Sequence, residues 1–350
     1  MIIDAHAQVW DPAWVRYPWL RPRMGPLTGA FTYPDLAAHL DDEQEDDGCT
    51  ADDPVRAVLV QACDDPRDVE VMASVARDEA RVAGLVVWAP LDRPDEVADE
   101  VQRARGMATA AGTRVVGVRT LQHHRRDPGW VLRPETDAGL GVLERLDLPY
   151  DYVTSDGTTV RRAPARSAVD GTPLQGTPLQ GMPPNGTTLG GSGGILVTGS
   201  IAVDPAAGAA ALAVLPAVGE RHPGLRLVLD HLGGPVLGDR AGLARWRAAL
   251  AEVARNPLVV AKLSGLYATD GPGPSYADDV REVVDVALDL FGPQRLMLGS
   301  DWPVCLLADP GRRARAAVDA ALERALDGDD LAAVRSGTAA RTYGLALVSR

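Results

Sequence analysis

The chain is poor in cysteine and has no long apolar run. Its three cysteines, Cys49, Cys63 and Cys305, are widely spaced and form no metal-type or redox-type pair. This pattern favours a reducing compartment. No window approaches 18 consecutive apolar residues, and no basic segment precedes an apolar stretch at the start of the sequence. These absences argue against a membrane span and a secretion signal, so we expect a cytoplasmic protein.

An excess of positive charge is also missing. The chain has 35 basic and 48 acidic residues, which gives a formal net charge of −13. Attraction to nucleic acid or to an anionic membrane would need a local exception to this acidic balance. We therefore expect neither partner and assign a small molecule as the binding partner.

The sequence does contain a repeated alternation of short apolar segments and longer amphipathic ones. Eight apolar segments, each bounded by turn residues, lie at 1–6, 55–62, 80–91, 113–121, 148–154, 225–233, 258–266 and 295–303. Between them, apolar residues recur every three or four positions, for example over 95–112, 240–257 and 276–292. Strands that alternate with helices in this way predict an α/β fold, a (β/α)₈ TIM barrel formed as one domain by residues 1–350. The outer helices of such a barrel make a homodimer possible.

One segment interrupts the alternation after the fifth predicted strand. Residues 155–194 are rich in Gly, Pro and Thr, and the motif GTPLQ occurs there twice in tandem. Such a composition buries little apolar surface, so we predict a flexible insertion. Because it follows a strand, it should leave from the catalytic face of the barrel and form a cover over the site.

Polar residues at the C-terminal ends of barrel strands are candidates for chemistry, since active sites of this fold lie at that face. The residues selected by this rule are His6, Gln8, Arg119, Thr120, His231, Lys262, Ser264 and Asp301. A single histidine or aspartate at a strand end is often structural. Several from different strands on one face favour an active site.

Several motifs together resemble a known family. DAHAQVWDP, VVGVRTLQ, LVLDHLGGP, GSDWP and GTAARTYGL occur in that order. They are similar to the lactonase branch of the amidohydrolase superfamily, the amidohydrolase 2 group, which includes enzymes similar to fuconolactonase, rhamnonolactonase and pyrone-dicarboxylate lactonase. The resemblance runs from Met1 to about Leu345, apart from the insertion. It implies a metal-hydrolase-like barrel and a lactone hydrolase of carbohydrate metabolism.

The resemblance implies a catalytic role for three residues. Asp301 in GSDWP matches the carboxylate that acts as general base on the attacking water. His231 in DHLGGP matches a histidine that contacts substrate or takes part in proton transfer. His6 matches the first member of a His-x-His pair, and Gln8 stands in place of the second. Thr120 also stands where a histidine is usual. His123 and His124, in the loop that follows, are candidates to supply that imidazole, although adjacent loop histidines usually face solvent.

Four further residues are expected to contact substrate. Gln8 and Arg119 can donate hydrogen bonds to a carbonyl oxygen that gains negative charge. Arg119 or Lys262 can hold a carboxylate or polyol, although Lys262 equally fits a buried ion pair. Trp302, next to Asp301, is expected to form a wall of the cavity.

The sequence leaves two alternatives for the metal content of the site. A binuclear site needs both members of the His-x-His pair, and the neutral amide of Gln8 is a poor zinc ligand. The resemblance favours hydrolysis with no required cofactor, because lactone hydrolysis without a metal occurs in this branch. The alternative is one Zn²⁺ held by His6, His231 and Asp301.

Two other functions remain open at this point. One is a mononuclear metal-dependent hydrolase or decarboxylase of the same superfamily. The other is a barrel that has lost catalysis and binds a ligand or a partner, which is suggested by Gln8 and Thr120 in place of histidine. The retention of His6, His231 and Asp301 in their motifs argues against that loss.

Overall fold

The computed structural model describes residues 1–46, 48–50, 54–121, 127–154, 159–162, 199–202, 205–267, 275–307 and 313–346. The strands are β1 (Ile2–Ala7), β2 (Val55–Val60), β3 (Val82–Val87), β4 (Val115–Arg119), β5 (Tyr150–Tyr152), β6 (Thr159–Arg162), β7 (Gly199–Ala202), β8 (Leu227–Leu229), β9 (Val259–Leu263) and β10 (Leu296–Leu298).

The α-helices lie mainly between these strands. They are α1 (Tyr33–Asp46), α2 (Asp68–Asp78), α3 (Pro94–Ala110), α4 (Pro134–Arg145), α5 (Pro205–Leu212), α6 (Leu215–Arg221), α7 (Arg240–Ala254), α8 (Tyr276–Phe291), α9 (Arg313–Ala325), α10 (Gly328–Ala332) and α11 (Thr338–Tyr343). A π-helical turn spans Ala333–Gly337, and short 3₁₀ helices span Pro22–Thr28, Pro128–Leu132, Asp230–Gly233, Pro293–Arg295 and Val304–Leu307.

Eight of the strands form one parallel sheet in the order β1-β2-β3-β4-β5-β8-β9-β10. The sheet closes on itself where the first strand meets the turn after the last one. There the Asp301 amide donates to the His6 carbonyl (2.9 Å), and the Gln8 amide donates to the Trp302 carbonyl (2.7 Å). The predicted (β/α)₈ TIM barrel is confirmed, and each predicted apolar segment overlaps one barrel strand.

The apolar residues of the strands divide between two faces, as a parallel sheet covered on both sides requires. The inner face contributes Ile3, Ala5, Val58, Val60, Ala83, Val86, Val116, Val228 and Met297. Helix α11 adds Ala339, Ala340 and Tyr343 to this inner cluster. The outer face packs against the surrounding helices in a much larger core. The barrel interior is therefore filled, which leaves the strand ends to form the site.

The predicted insertion at 155–194 begins after β5, the fifth barrel strand. Strand β6 falls inside it and pairs in antiparallel fashion with β7, which lies beyond it. The other residues of the insertion lie outside the described part of the chain. The single domain with a flexible cover stays a prediction.

Among the described residues, no helix combines the length and the apolar character needed to cross a lipid bilayer. The acidic net charge and the interrupted apolar runs agree with this finding.

Packing between α4 and the loop after β3 gives a testable prediction about stability. A Cβ on Gly139 would overlap the backbone carbonyl of Leu91, which cannot move aside as a side chain can. We expect Gly139→Ala to lower the free energy of unfolding by about 1–3 kcal/mol, measured by urea denaturation. The matched control is Gly106→Ala, at an exposed position of α3 with no heavy atom within 4 Å of the new Cβ. The free energy of unfolding of Gly106→Ala should be higher than that of the wild type by about 0.5–1 kcal/mol. Equal effects of the two substitutions would contradict tight packing at Gly139.

Candidate active site

Three of the predicted residues converge at the C-terminal end of the barrel. His6 belongs to β1, and His231 and Asp301 follow β8 and β10. Asp301 Oδ1 lies 3.7 Å from His6 Nε2 and 4.0 Å from His231 Nε2. The two imidazole rings are 4.6 Å apart between centroids. Three side chains that are distant in sequence therefore present one ligating atom each to a common point.

Two of these residues have a backbone conformation that is rare for residues other than glycine. His231 has φ +53° and Asp301 has φ +56°, both in the left-handed region. This conformation costs about 1–2 kcal/mol per residue, so surrounding contacts must hold it. The backbone bond from Asp301 to His6 is one such contact. Both left-handed residues lie in the turns that follow barrel strands, His231 after β8 and Asp301 after β10.

The loop after β9 orients both strained residues through its side chains. Ser264 Oγ lies 2.8 Å from His231 Nδ1, which turns Nε2 of that ring towards Asp301. The Tyr267 hydroxyl donates to Asp301 Oδ2 (3.1 Å), which leaves Oδ1 facing the histidines. The strand-end rule had selected Ser264, whereas Tyr267 was missed because it lies four residues beyond the strand.

Beneath the three converging residues lies a network of buried charges. Lys262 Nζ lies 2.6 Å from Asp151 Oδ2, 2.9 Å from Asp230 Oδ1 and 3.1 Å from His6 Nδ1. Arg119 Nη1 lies 3.0 Å from Asp230 Oδ2 and 3.3 Å from His6 Nε2. Lys262 is fully buried and Arg119 is 3% exposed. The structure therefore places Lys262 in the buried ion pair that the sequence left as an alternative.

Asp151 and Asp230 are functional residues that the sequence analysis missed. Asp230 stands next to His231 inside the DHLGGP motif, and Asp151 lies in the middle of β5, paired with Arg119 of β4 and Val228 of β8. The Tyr343 hydroxyl of α11 also donates to Asp151 Oδ2 (2.7 Å). A carboxylate within an apolar strand was the available signal, since such a residue needs a buried partner.

Burial and the charge network set the protonation of the site. Burial, helped by the Lys262 ammonium, holds the pKa of His6 well below its usual range, against the attraction of Asp230. Burial alone would raise the pKa of Asp230, but Lys262 and His6 hold it well below an ordinary carboxyl value. Burial raises the pKa of Asp151 to about 6 and also raises that of Asp301. His6 is therefore neutral at physiological pH, as a metal ligand must be.

The remaining predicted residues lie close to this network. Gln8 is buried, and its amide Nε2 donates to the Gln61 carbonyl (3.2 Å). Trp302 is 5% exposed and packs with Phe31 and His39 on its two sides. The Thr120 hydroxyl donates to a backbone carbonyl at the end of β3. His123 and His124 lie outside the described residues.

The geometry defines a hydrolase-type site on a TIM barrel, and comparison with known proteins gives its family. Residues 3–345 match the family model described as amidohydrolase. The chain belongs to the amidohydrolase family and is a hydrolase. This confirms the resemblance that its motifs carried.

Three known proteins are similar over nearly the whole chain. An L-fucono-1,5-lactonase of Burkholderia multivorans is 32% identical over 98% of this chain and 96% of its own length. The crystal structure of an amidohydrolase from Burkholderia multivorans with bound zinc superposes with a TM-score of 0.73 at 30% identity, covering 99% of this chain and all of the other. A probable 2-pyrone-4,6-dicarboxylic acid hydrolase from Acinetobacter baumannii, at 16% identity over 98% of this chain and 99% of its own, has the same fold with a TM-score of 0.60.

The expectation that no cofactor is required is wrong. A relative of 30% identity has zinc bound, and His6, His231 and Asp301 form a group whose ligating atoms all lie within 4.8 Å of one another. The error came from the resemblance to enzymes that hydrolyse lactones without a metal. Gln8 bears only on a binuclear pair, and a group that could hold one ion is formed by His6, His231 and Asp301.

The closeness of Gly265 to the His231 ring gives a second prediction. Gly265 has φ +64°, and a Cβ there would lie 2.8 Å from Nδ1 and 2.9 Å from Cγ of His231. Left-handed strain alone costs about 1–2 kcal/mol. We expect Gly265→Ala to lower the free energy of unfolding by more than this. The matched control, Gly112→Ala, has φ +76° and no heavy atom within 4 Å of the new Cβ. Urea denaturation of both variants should show the larger loss at Gly265, and equal losses would mean that His231 has room to move.

Proposed function

We propose that this protein is a zinc-dependent lactonase that opens a sugar lactone to its hydroxy acid. The observation that carries the proposal is the convergence of His6, His231 and Asp301 on one point at the catalytic face. The 32% identity to an L-fucono-1,5-lactonase over nearly the full length supports the lactone as substrate.

The residues present fit one zinc ion. Two imidazole nitrogens and one carboxylate oxygen are the ligand types of catalytic zinc, which keeps a further position open. His6 Nδ1 faces the Asp230 carboxylate, 3.3 Å from Oδ1, and Nε2 faces Asp301 Oδ1, so Nε2 is the nitrogen that would bind the ion. A carboxylate behind a ligating histidine is the usual support of this kind. Arg119 Nη1 lies 3.3 Å from the same Nε2, and its charge is offset by Asp230.

The protein's own groups account for the proton transfers. Zinc, when bound, supplies Lewis acidity that polarises a carbonyl and makes water more acidic. Asp301 takes a proton from the attacking water as the new carbon–oxygen bond forms. The ring carbon–oxygen bond then breaks, and the same carboxyl returns the proton to the leaving ring oxygen. Tyr267 holds Asp301 Oδ2 throughout, so Oδ1 stays in line with both histidines.

The charge network favours an uncharged substrate. Arg119 and Lys262, which the sequence suggested for binding a carboxylate, each pair with a buried carboxylate of the protein. A dicarboxylate would have to compete with Asp151 and Asp230 for these cations. A neutral sugar lactone needs hydrogen bonds rather than a counter-ion. We therefore place the substrate among the aldonolactones rather than among pyrone dicarboxylates.

Metal removal tests the zinc requirement. The purified protein should contain one zinc per chain, measured by elemental analysis. Treatment with a strong chelator should abolish hydrolysis of a panel of sugar lactones, and stoichiometric zinc should restore it. Full activity after verified removal of the metal would contradict the zinc-dependent mechanism. Activity restricted to pyrone dicarboxylates would contradict the substrate class.

Replacement of the proposed base tests the mechanism. Asp301→Asn keeps the size and tolerates the left-handed backbone, and it should lower kcat by about 10²–10⁴ at saturating zinc. The matched control is Asp147→Asn, because Asp147 is also a left-handed aspartate (φ +53°) but its side chain is exposed and forms an ion pair with Arg226. The control should keep wild-type kcat. Near-normal turnover of the Asp301 variant would show that this carboxylate is structural.

A further inference from the structure

A second cluster of buried polar residues lies next to the active site. Asp4 is fully buried, two residues before His6 in β1, and three hydrogen bonds end on its carboxylate. Oδ1 accepts from the backbone amides of His6 (3.0 Å) and Ser300 (2.8 Å), and Oδ2 accepts from the Ser300 hydroxyl (2.6 Å). One carboxylate therefore joins the segment that carries His6 to the segment that carries Asp301.

The Ser300 hydroxyl extends this connection past Asp301. It accepts a hydrogen bond from the Trp302 amide (3.0 Å), so Asp4 and Ser300 together hold the backbone on both sides of Asp301. Asp301 has φ +56° and needs contacts that fix this strained conformation. The position of its carboxylate therefore depends on Asp4, although Asp4 lies outside the group of ligands.

Helix α1 supports the same turn from outside the barrel. His39 Nε2 lies 3.6 Å from Asp4 Oδ2, and the His39 ring stacks on Trp302 with an interplanar angle of 8°. His39 Nε2 also lies 3.8 Å from Glu43 Oε1, which forms an ion pair with Arg315 (3.0 Å). The imidazole is thus placed between two carboxylates and against the residue that follows Asp301.

We propose that Asp4, supported by His39, is the positioning residue that holds His6 and Asp301 in zinc-binding geometry. This inference rests on the proposed zinc site. The Asp4 carboxylate contacts no ligating atom; it acts through the backbone amides of His6 and Ser300. Substitution of Asp4 should leave His6 and Asp301 in the protein but move their ligating atoms out of zinc-binding geometry.

The arrangement favours this role over a second metal site made of Asp4, His39 and Glu43. Asp4 Oδ2 already accepts a short hydrogen bond from Ser300, and Glu43 Oε1 already pairs with the Arg315 guanidinium. The Asp4 carboxylate already accepts from three donors, the amides of His6 and Ser300 and the Ser300 hydroxyl, as expected of a structural anchor.

The test compares zinc affinity in variants of the full-length protein. Asp4→Asn should weaken zinc binding by about 10–100-fold, the usual loss for a supporting residue, measured by competition with a chromophoric chelator. Ser300→Ala, a milder change of the same anchor, should weaken it by about 10-fold and serves if Asp4→Asn does not fold. At saturating zinc, kcat should fall while KM stays within about twofold, because a misplaced base affects the reaction step more than binding. In Co²⁺-substituted protein, the visible absorption bands should shift, which reports altered ligand geometry.

The matched control is Glu79→Gln. Glu79 is a nearly buried carboxylate that also accepts from a backbone amide, that of Arg81, but it precedes β3 at the opposite end of the barrel. It should keep wild-type zinc affinity and an unchanged cobalt spectrum. Wild-type affinity in both folded anchor variants would overturn the inference and leave the proposed function intact. A wild-type protein that binds no zinc would overturn both. Two zinc ions per wild-type chain, one of them lost in His39→Phe, would overturn it by making the cluster itself a metal site.

Discussion

The site depends on two carboxylates buried inside the barrel, Asp151 and Asp230. Arg119 and Lys262 are almost completely shielded from water, and a buried cation is tolerated only when it is paired and hydrogen-bonded. Removing one partner of such a pair costs about 3–5 kcal/mol, because the other charge is left without compensation. The same carboxylates bring the two cations beside His6, which burial and Lys262 keep neutral. The active site therefore depends on the balance of the charges buried inside the barrel.

The site also depends on a neutral His6 and on the two strained turns that carry His231 and Asp301. His231 and Asp301 take left-handed conformations that a relaxed strand end would not adopt. Each is held by a side chain from the loop after β9, and Asp301 is also held through the turn that Asp4 anchors. The strained conformations persist at these positions because several contacts fix the backbone there. The barrel therefore provides rigid strands, while short-range hydrogen bonds set the ligand geometry.

The sequence predicted the barrel and the three converging residues for the same reason. Apolar segments of strand length report burial on both faces, and polar residues at their ends must meet at one face of a closed parallel sheet. His6, His231 and Asp301 are among the residues selected by that rule, and the family resemblance singled them out as catalytic. The partners of Lys262 do not, because Asp151 is 111 residues away in sequence and the pairing depends on the register of three strands. Tyr267 was missed because a loop can turn a side chain back to the site from any of several positions.

The expectation that no metal is required was wrong because it rested on the resemblance to enzymes that hydrolyse lactones without one. Gln8 stands in place of the second histidine of a His-x-His pair, and that pair matters only when two ions share the site. In the structure the Gln8 amide donates to the end of β2, so it joins neighbouring strands beside the ligands. The side chains of His6 in β1, His231 after β8 and Asp301 after β10 form a group that could hold a single ion. Gln8 therefore affects whether the barrel could hold two ions. His6, His231 and Asp301 determine whether it could hold one.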